Sequence, residues 1–247
     1  MEGRQAVREL LSANRRPVRS VFMAEGMDAA QVLDEIEDLA AARRVRVDHV
    51  SRRRIDSLAR TDAAQGVVAQ ARPVEQTPLE SLCEPSPRGR VPFLLVLDGI
   101  TDPHNLGALL RSAECAGVTG VVLPRHRSAH LSPTVAKVAA GAIEYLPMAL
   151  VSGIPSALAR LSDLGVWTVG LVGEAKGSLY NLSLGEQPVA LVLGSEGTGL
   201  ATLTKKRCHE LASIPQHGSL SSLNVSTAGA IACFDVARQR ARPSTGG

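Results

Sequence analysis

The chain has 247 residues, of which 45% are hydrophobic and 21% charged, and carries a net charge of +3. That length can bury one large core or two ordinary ones, and the composition is that of a globular protein. No apolar run approaches the roughly 20 residues of a membrane helix, and Cys83, Cys115, Cys208 and Cys233 are too scattered for a zinc pattern or a disulfide framework, so a reducing cytoplasm with no membrane and no metal is expected.

Residues 1–72 read as a small α/β domain. Gly3–Leu11 places Val7, Leu10 and Leu11 on one helical face, and Val18–Ala24 reads as a strand. Ala29–Arg43 is an amphipathic helix with Val32, Ile36 and Leu39 on its stripe. Val45–Val50 is a strand, Arg52–Arg60 a short helix and Gly66–Ala71 a third strand. Arginines cluster at Arg15, Arg16 and Arg19, at Arg43, Arg44 and Arg46, and at Arg52, Arg53 and Arg54. These are either solvated, dipole-favoured helix ends or a phosphate-contacting face. With aromatics at 2%, base stacking cannot be the main mode of RNA recognition.

Pro73–Pro92 carries five prolines and almost no periodicity, the signature of a linker. From residue 93 to 247 the pattern changes to strands alternating with helices. Strands are expected at Phe93–Leu97, Val118–Leu123, Glu144–Met148, Val166–Val172 and Val189–Gly194, with helices from about Asn105 to Ala116, at Pro133–Ala140 and at Ile154–Gly165. Continuous apolar strands separated by helices indicate a parallel sheet covered on both faces, whose ligands bind at the carboxyl ends of the strands.

Three polar loops follow such strands. The first, DPHNLGALLR, holds Asn105, Gly107 and Arg111, where Asn105 opens a helix and Arg111 lies nearly two turns on; by themselves these read as a cap and a surface charge. The second, Gly194-Ser195-Glu196-Gly197-Thr198-Gly199, has glycines that permit close backbone approach, yet matches neither the Walker loop nor the dinucleotide fingerprint. The third, IPQHGSLSSLNVSTAGAIA, runs from the end of a strand at Ile214 through Gly218, Ser219, Ser221, Ser222 and Asn224 into a helix with Ser226 and Thr227 as candidate caps and a basic end at Arg238–Arg242. Such a loop offers backbone N–H groups and a helix N-terminus to a small polar or anionic ligand, or is an ordinary strand-to-helix connection. His126 and His130, four apart beside Pro124, lack a third ligand and read as a solvated loop.

In order and spacing, NLGALLR, LVLGSEGTGL and IPQHGSLSSLNVSTAGAIA closely resemble the three motifs of the SpoU/TrmH family of RNA ribose 2′-O-methyltransferases, and with the preceding α/β module the resemblance covers nearly the whole chain. It implies an N-terminal L30e-like RNA-binding domain and a C-terminal SPOUT domain with a deep C-terminal trefoil knot, a topology that periodicity would never suggest. It further implies S-adenosylmethionine bound by Leu193, Gly194, Gly197, Ile214, Leu223 and Ala228, and a homodimer packed through the knot. Asn105, Arg111, Glu196, Ser222 and Asn224 form the implied catalytic constellation, and Arg15, Arg16, Arg44, Gln65 and Arg111 the implied RNA contacts. In-line attack of a ribose hydroxyl on a sulfonium methyl asks mainly for positioning. Arg111, always protonated, suits a bidentate phosphate clamp better than a base.

The chain departs from the family where Ala64-Gln65-Gly66 replaces the frequent His-Gln-Gly, where Tyr145 stands in GAIEYLP, and at Gln216 and His217. The expected substrate is a guanosine of 23S ribosomal RNA. Transfer RNA, an antibiotic-resistance methylation of 23S RNA and a non-catalytic ribosome-assembly protein are the alternatives.

Overall fold

The computed structural model describes residues 1–61, 64–86, 89–126, 129, 131–220 and 222–241. Ser221, His130 and Arg242, named above, lie outside them. The elements in chain order are α1 (Arg4–Ala13), β1 (Val18–Ala24), α2 (Gln31–Ala42), β2 (Arg46–Val50), α3 (Arg52–Leu58), β3 (Val67–Ala71), α4 (Leu79–Leu82), β4 (Phe93–Asp98), α5 (Pro103–Cys115), β5 (Gly120–Pro124) and α6 (Pro133–Val138). They continue with β6 (Met148–Val151), α7 (Ile154–Asp163), β7 (Trp167–Leu171), β8 (Gly177–Ser178), β9 (Val189–Gly194), α8 (Thr202–Arg207), β10 (Glu210–Ser213) and α9 (Val225–Arg240).

Two compact units result, one of residues 1–75 and 130–145 and the other of residues 76–129 and 146–247. In the first, the sheet order is β2-β1-β3, with β2 parallel and β3 antiparallel to β1. One face packs Val7, Leu10 and Leu11 of α1 and Leu33, Ile36 and Ala40 of α2 over Val21, Met23, Val67 and Ala69. Alternate residues Ala24 and Val68 meet Ile55 of α3 on the other face, as the two-residue period of a strand requires.

Residues 130–145 join this unit through an ion pair absent from the sequence reading. Arg16 donates from Nε to Glu144 Oε2 at 2.8 Å, with side-chain exposures of only 11% and 1% for the two residues. Arg15 adds a bond from Nη1 to the Tyr145 carbonyl at 3.0 Å. Residues 142–144 form a 3-10 turn, and the strand expected at Glu144–Met148 runs instead from Met148 to Val151. Gly141 at φ 89° turns the chain into this 3-10 segment ahead of the strand.

The second unit has the strand order β6-β5-β4-β9-β7-β10-β8, and its strand pairs are parallel. Leu94, Val96, Val122, Ala190 and Val192 face α7 and Leu82 of α4. On the opposite face α9 and α5 pack so closely that a Cβ on Gly229 would lie 2.3 Å from Leu109 Cδ2 and 2.8 Å from Leu193 Cδ2. Arg240 fastens the end of α9 to the starts of the central strands, donating to the carbonyls of Val91, Pro92 and Gln187 while its guanidinium lies 5.1 Å from the Phe93 ring centroid.

The stretch Pro73–Pro92 is partly structured, since α4 buries Leu82 and Thr77 donates to the Met148 carbonyl at 2.8 Å. Its LESL segment is too short for its period to be read. Two helix starts also differ from expectation. Asp102, not Asn105, caps α5 by accepting from the His104 N–H at 3.0 Å, with Pro103 in the first turn. Asn224, not Ser226 or Thr227, caps α9.

Candidate functional site

The carboxyl ends of β4 and β9 lie side by side, with Asp98 in register with Gly194. After β9 the chain folds back on itself: Ser195 N–H donates to Gly199 O at 3.1 Å and Gly199 N–H to Ser195 O at 2.9 Å. The turn needs positive φ at Gly197 (76°) and Gly199 (65°). It also requires glycine at 194, where a Cβ would stand 2.1 Å from the Gly199 carbonyl carbon.

Glu196, at the tip of this turn, accepts a close hydrogen bond from Asn105 Nδ2. Asn105 is buried in the first turn of α5, and its Nδ2 also donates to Asp102 Oδ2 at 2.8 Å. Asn224 closes the network: its Nδ2 donates to Asn105 Oδ1 at 3.0 Å and to Glu196 Oε1 at 3.4 Å. Its own Oδ1 accepts from the N–H groups of Ser226 and Thr227 at 2.8 and 3.3 Å. Three segments far apart in sequence thus share one carboxylate. Glu196 Oε2 has no partner among the described residues and remains open to a ligand.

Beside the network is a cleft of about 470 Å³. All six residues expected to hold the cofactor line it, namely Leu193, Gly194, Gly197, Ile214, Leu223 and Ala228, and Glu196, Ser222 and Asn224 line it too. The sequence reading missed Glu174 of the same wall, which enters from the segment after β7 and which no motif marks, and it named Gln216 only as a departure from the family pattern, not as part of the site. It also missed Asp102 as a partner of Asn105, although Asp-Pro before a helical pattern is a recognisable cap signal.

The electrostatics of the cleft are selective. Among its described lining residues Glu174 and Glu196 are carboxylates and none is a cation. Glu174 is paired with Lys205 at 3.5 Å, so Glu196 is the carboxylate that favours a positive charge in the cleft. Its apolar side chains and glycine backbone meanwhile suit a flat ring.

Arg111 stands apart from the network. It is exposed on α5 and has no hydrogen bond or ion pair among the described residues, so its guanidinium is available to a ligand. In the first unit Arg44 is exposed in the left-handed region (φ 56°). Gln65 shares that conformation (φ 52°) and accepts from the Arg4 N–H at 3.2 Å. Arg16 is paired with Glu144, and exposed Arg15 donates to the carbonyl of Tyr145. Among the described residues, no three His, Cys, Asp or Glu side chains gather to hold a metal, and no helix is long and apolar enough to cross a membrane.

The parallel sheet, its back-folded loop and the cleft beside it define an α/β protein with a small-molecule site at its strand ends. Residues 92–234 match the SpoU rRNA Methylase family, and residues 1–77 match the family described as RNA 2′-O ribose methyltransferase substrate binding. The chain is 44% identical over 241 residues to the 23S rRNA (guanosine-2′-O-)-methyltransferase RlmB of Pseudomonas aeruginosa, covering 96% of this chain and 95% of that one. It is also 44% identical over 238 residues to the protein of the same name from Yersinia pestis, covering 96% of each. The AdoMet-bound rRNA methyltransferase from Sinorhizobium meliloti shares the fold, with a TM-score of 0.79 at 23% identity over 98% of this chain and 87% of that one. The chain belongs to the SpoU rRNA methylase family and has the SPOUT fold.

Proposed function

We propose that this protein transfers a methyl group from S-adenosylmethionine to the ribose 2′-hydroxyl of a guanosine in 23S ribosomal RNA. The observation that carries the reading is the junction of the cleft with the Asn105–Glu196–Asn224 network at the ends of β4 and β9. Full-length relatives named for this reaction support it.

The cleft fits the cofactor by its own chemistry. Leu193, Ile214, Leu223 and Ala228 supply apolar surface for an adenine, the backbone at Gly194 and Gly197 allows close approach, and Glu196 offers a carboxylate to a cationic ligand. When bound, the cofactor supplies an electrophilic methyl on a sulfonium. The protein's part is to bring the ribose hydroxyl into line and to remove its proton. Arg111, which cannot give up its own proton, clamps the adjoining phosphate and stabilises the developing alkoxide, while the proton leaves to a phosphate oxygen or water. Asn105 and Asn224 hold Glu196 in place, Ser222 and the open Glu196 oxygen hold the ribose, and the network keeps the loops rigid.

The same reading takes residues 1–72 as the RNA-binding module, of L30e type, with Arg44 and Gln65 on its RNA face. It takes the return of the chain through β10 and α9 as the family's trefoil knot. The outer face of α9 exposes Phe234 by 50% beside half-buried Ile231, and we assign that face to a second copy of the chain in a homodimer. Action on ribosomal RNA places the protein in the cytoplasm.

The test is transfer of labelled methyl from S-adenosylmethionine to unmodified 23S RNA, with transfer RNA in parallel, followed by mapping of alkali-resistant ribose. One labelled guanosine in 23S RNA, lost with Arg111→Ala, is expected. Label in transfer RNA alone would reassign the substrate, and no label in any RNA would overturn the reaction.

A further inference from the structure

A second and larger crevice, of about 820 Å³, lies on the far side of the 195–199 turn, at the carboxyl ends of β4 and β5 and the start of α7. Its walls include Ser195 and Gly199, so a single turn separates it from the cofactor cleft. Its floor is Asp98, the residue that ends the otherwise apolar strand FLLVLD. One oxygen of that carboxylate is used by the fold: Oδ2 accepts from Thr204 Oγ1 at 2.6 Å and from the Ala201 N–H at 3.4 Å. The other, Oδ1, has no partner among the described residues.

A carboxylate is a poor neighbour for an RNA backbone, and its only possible cationic companion among the described lining residues is His126. The described walls of the crevice therefore fit a phosphodiester poorly. They do suit a base. Pro155 offers a flat apolar face and Ser152 an exposed hydroxyl. A fixed acceptor selects an edge that donates, and guanine alone among the four bases presents two adjacent donors, N1–H and the N2 amine.

Resting on the RNA-methyltransferase reading above, we infer that this crevice is the pocket for the guanine base of the substrate and that Asp98 is its specificity-determining residue. Thr204 and the Ala201 amide hold Oδ2, so the free oxygen is already aimed before the base arrives. Asp98 does not touch the reacting hydroxyl; it selects which nucleotide is offered there.

The test is a titration of the full chain, isotope-labelled, with guanosine 5′-monophosphate and inosine 5′-monophosphate, followed by nuclear magnetic resonance at the Gly99 and Gly153 amides. The two ligands share their phosphate and differ by the N2 amine. Wild type is expected to bind the guanosine nucleotide about tenfold more tightly, the order of one charge-assisted hydrogen bond. Asp98→Asn, which can still accept from Thr204, is expected to abolish the preference while leaving S-adenosylmethionine affinity unchanged. Ser152→Trp, at an exposed wall position, should block both nucleotides without disturbing Asp98. Equal affinity of wild type for the two nucleotides, a preference that survives Asp98→Asn, or binding that survives Ser152→Trp overturns the assignment. A guanine preference that depends on Asp98 in a protein that methylates no RNA would sink the proposed reaction and leave the pocket standing.

Discussion

Asn224 donates to Asn105 across 3.0 Å while its own carbonyl oxygen caps α9, so one side chain fixes both the start of the last helix and the amide that holds Glu196. The two duties separate by substitution. Asn224→Asp keeps the capping oxygen, loses the amide donor and sets a second carboxylate beside Glu196. It is expected to lower methyl transfer more than tenfold with little loss of the cap, whereas Asn224→Ala also loses the cap and about 1 kcal/mol of stability. Thermal unfolding read beside initial rates distinguishes them.

Arg111 is exposed and unpaired among the described residues, so its removal should leave stability within about 0.5 kcal/mol. Arg111→Ala is expected to cut turnover by at least about a hundredfold. Arg111→Lys should recover little of it, because an ammonium cannot reproduce a bidentate clamp. Calorimetric titration with S-adenosylmethionine should give an unchanged dissociation constant for both variants.

Gly194→Ala places a methyl inside van der Waals contact with the backbone of Gly199 and Leu200. Since that backbone forms the turn beneath Glu196, cofactor binding should be lost even where the chain still folds. Far-ultraviolet circular dichroism together with the same titration checks both parts.

The Arg16–Glu144 pair is buried in the first unit, so breaking it strands a charge. Glu144→Ala should cost about 3 kcal/mol in chemical denaturation, and the double replacement Arg16→Met with Glu144→Leu should recover most of it. If Arg16 instead served mainly RNA, Glu144→Ala would leave stability near wild type.

Burial pushes the thiols of Cys83 and Cys208 up to about 11 and that of Cys233 up to about 12. Water no longer solvates the thiolate there, so at pH 8 only about one in a thousand or fewer of these groups is reactive. Iodoacetamide at pH 8 should therefore label exposed Cys115 first, with the other three accelerating only as pH rises toward those values. Peptide mass spectrometry reads the order directly.

Much of the molecule was legible in its pattern. β1 and β9 run over the residues assigned to them from the sequence; β9 is buried throughout, so its continuous apolar run marks both of its ends. The elements that were displaced or missed follow from single polar contacts or from shortness. Glu144 lies in a 3-10 turn where it pairs with Arg16, and α4, α8 and β8 are too short for a period to show.

The candidate site divides in the same way. Sequence alone named the residues expected after these strands, through the order and spacing of three motifs and their resemblance to a known family. Only the tertiary structure decided that Asn105, Glu196 and Asn224 share one carboxylate oxygen, that Arg111 does not join them, and that Glu174 and Gln216 complete the cleft. Local pattern reports which face a residue turns to the core. The meeting of residues 91 or 119 positions apart depends on the order in which the strands are laid side by side, and no local preference encodes that order.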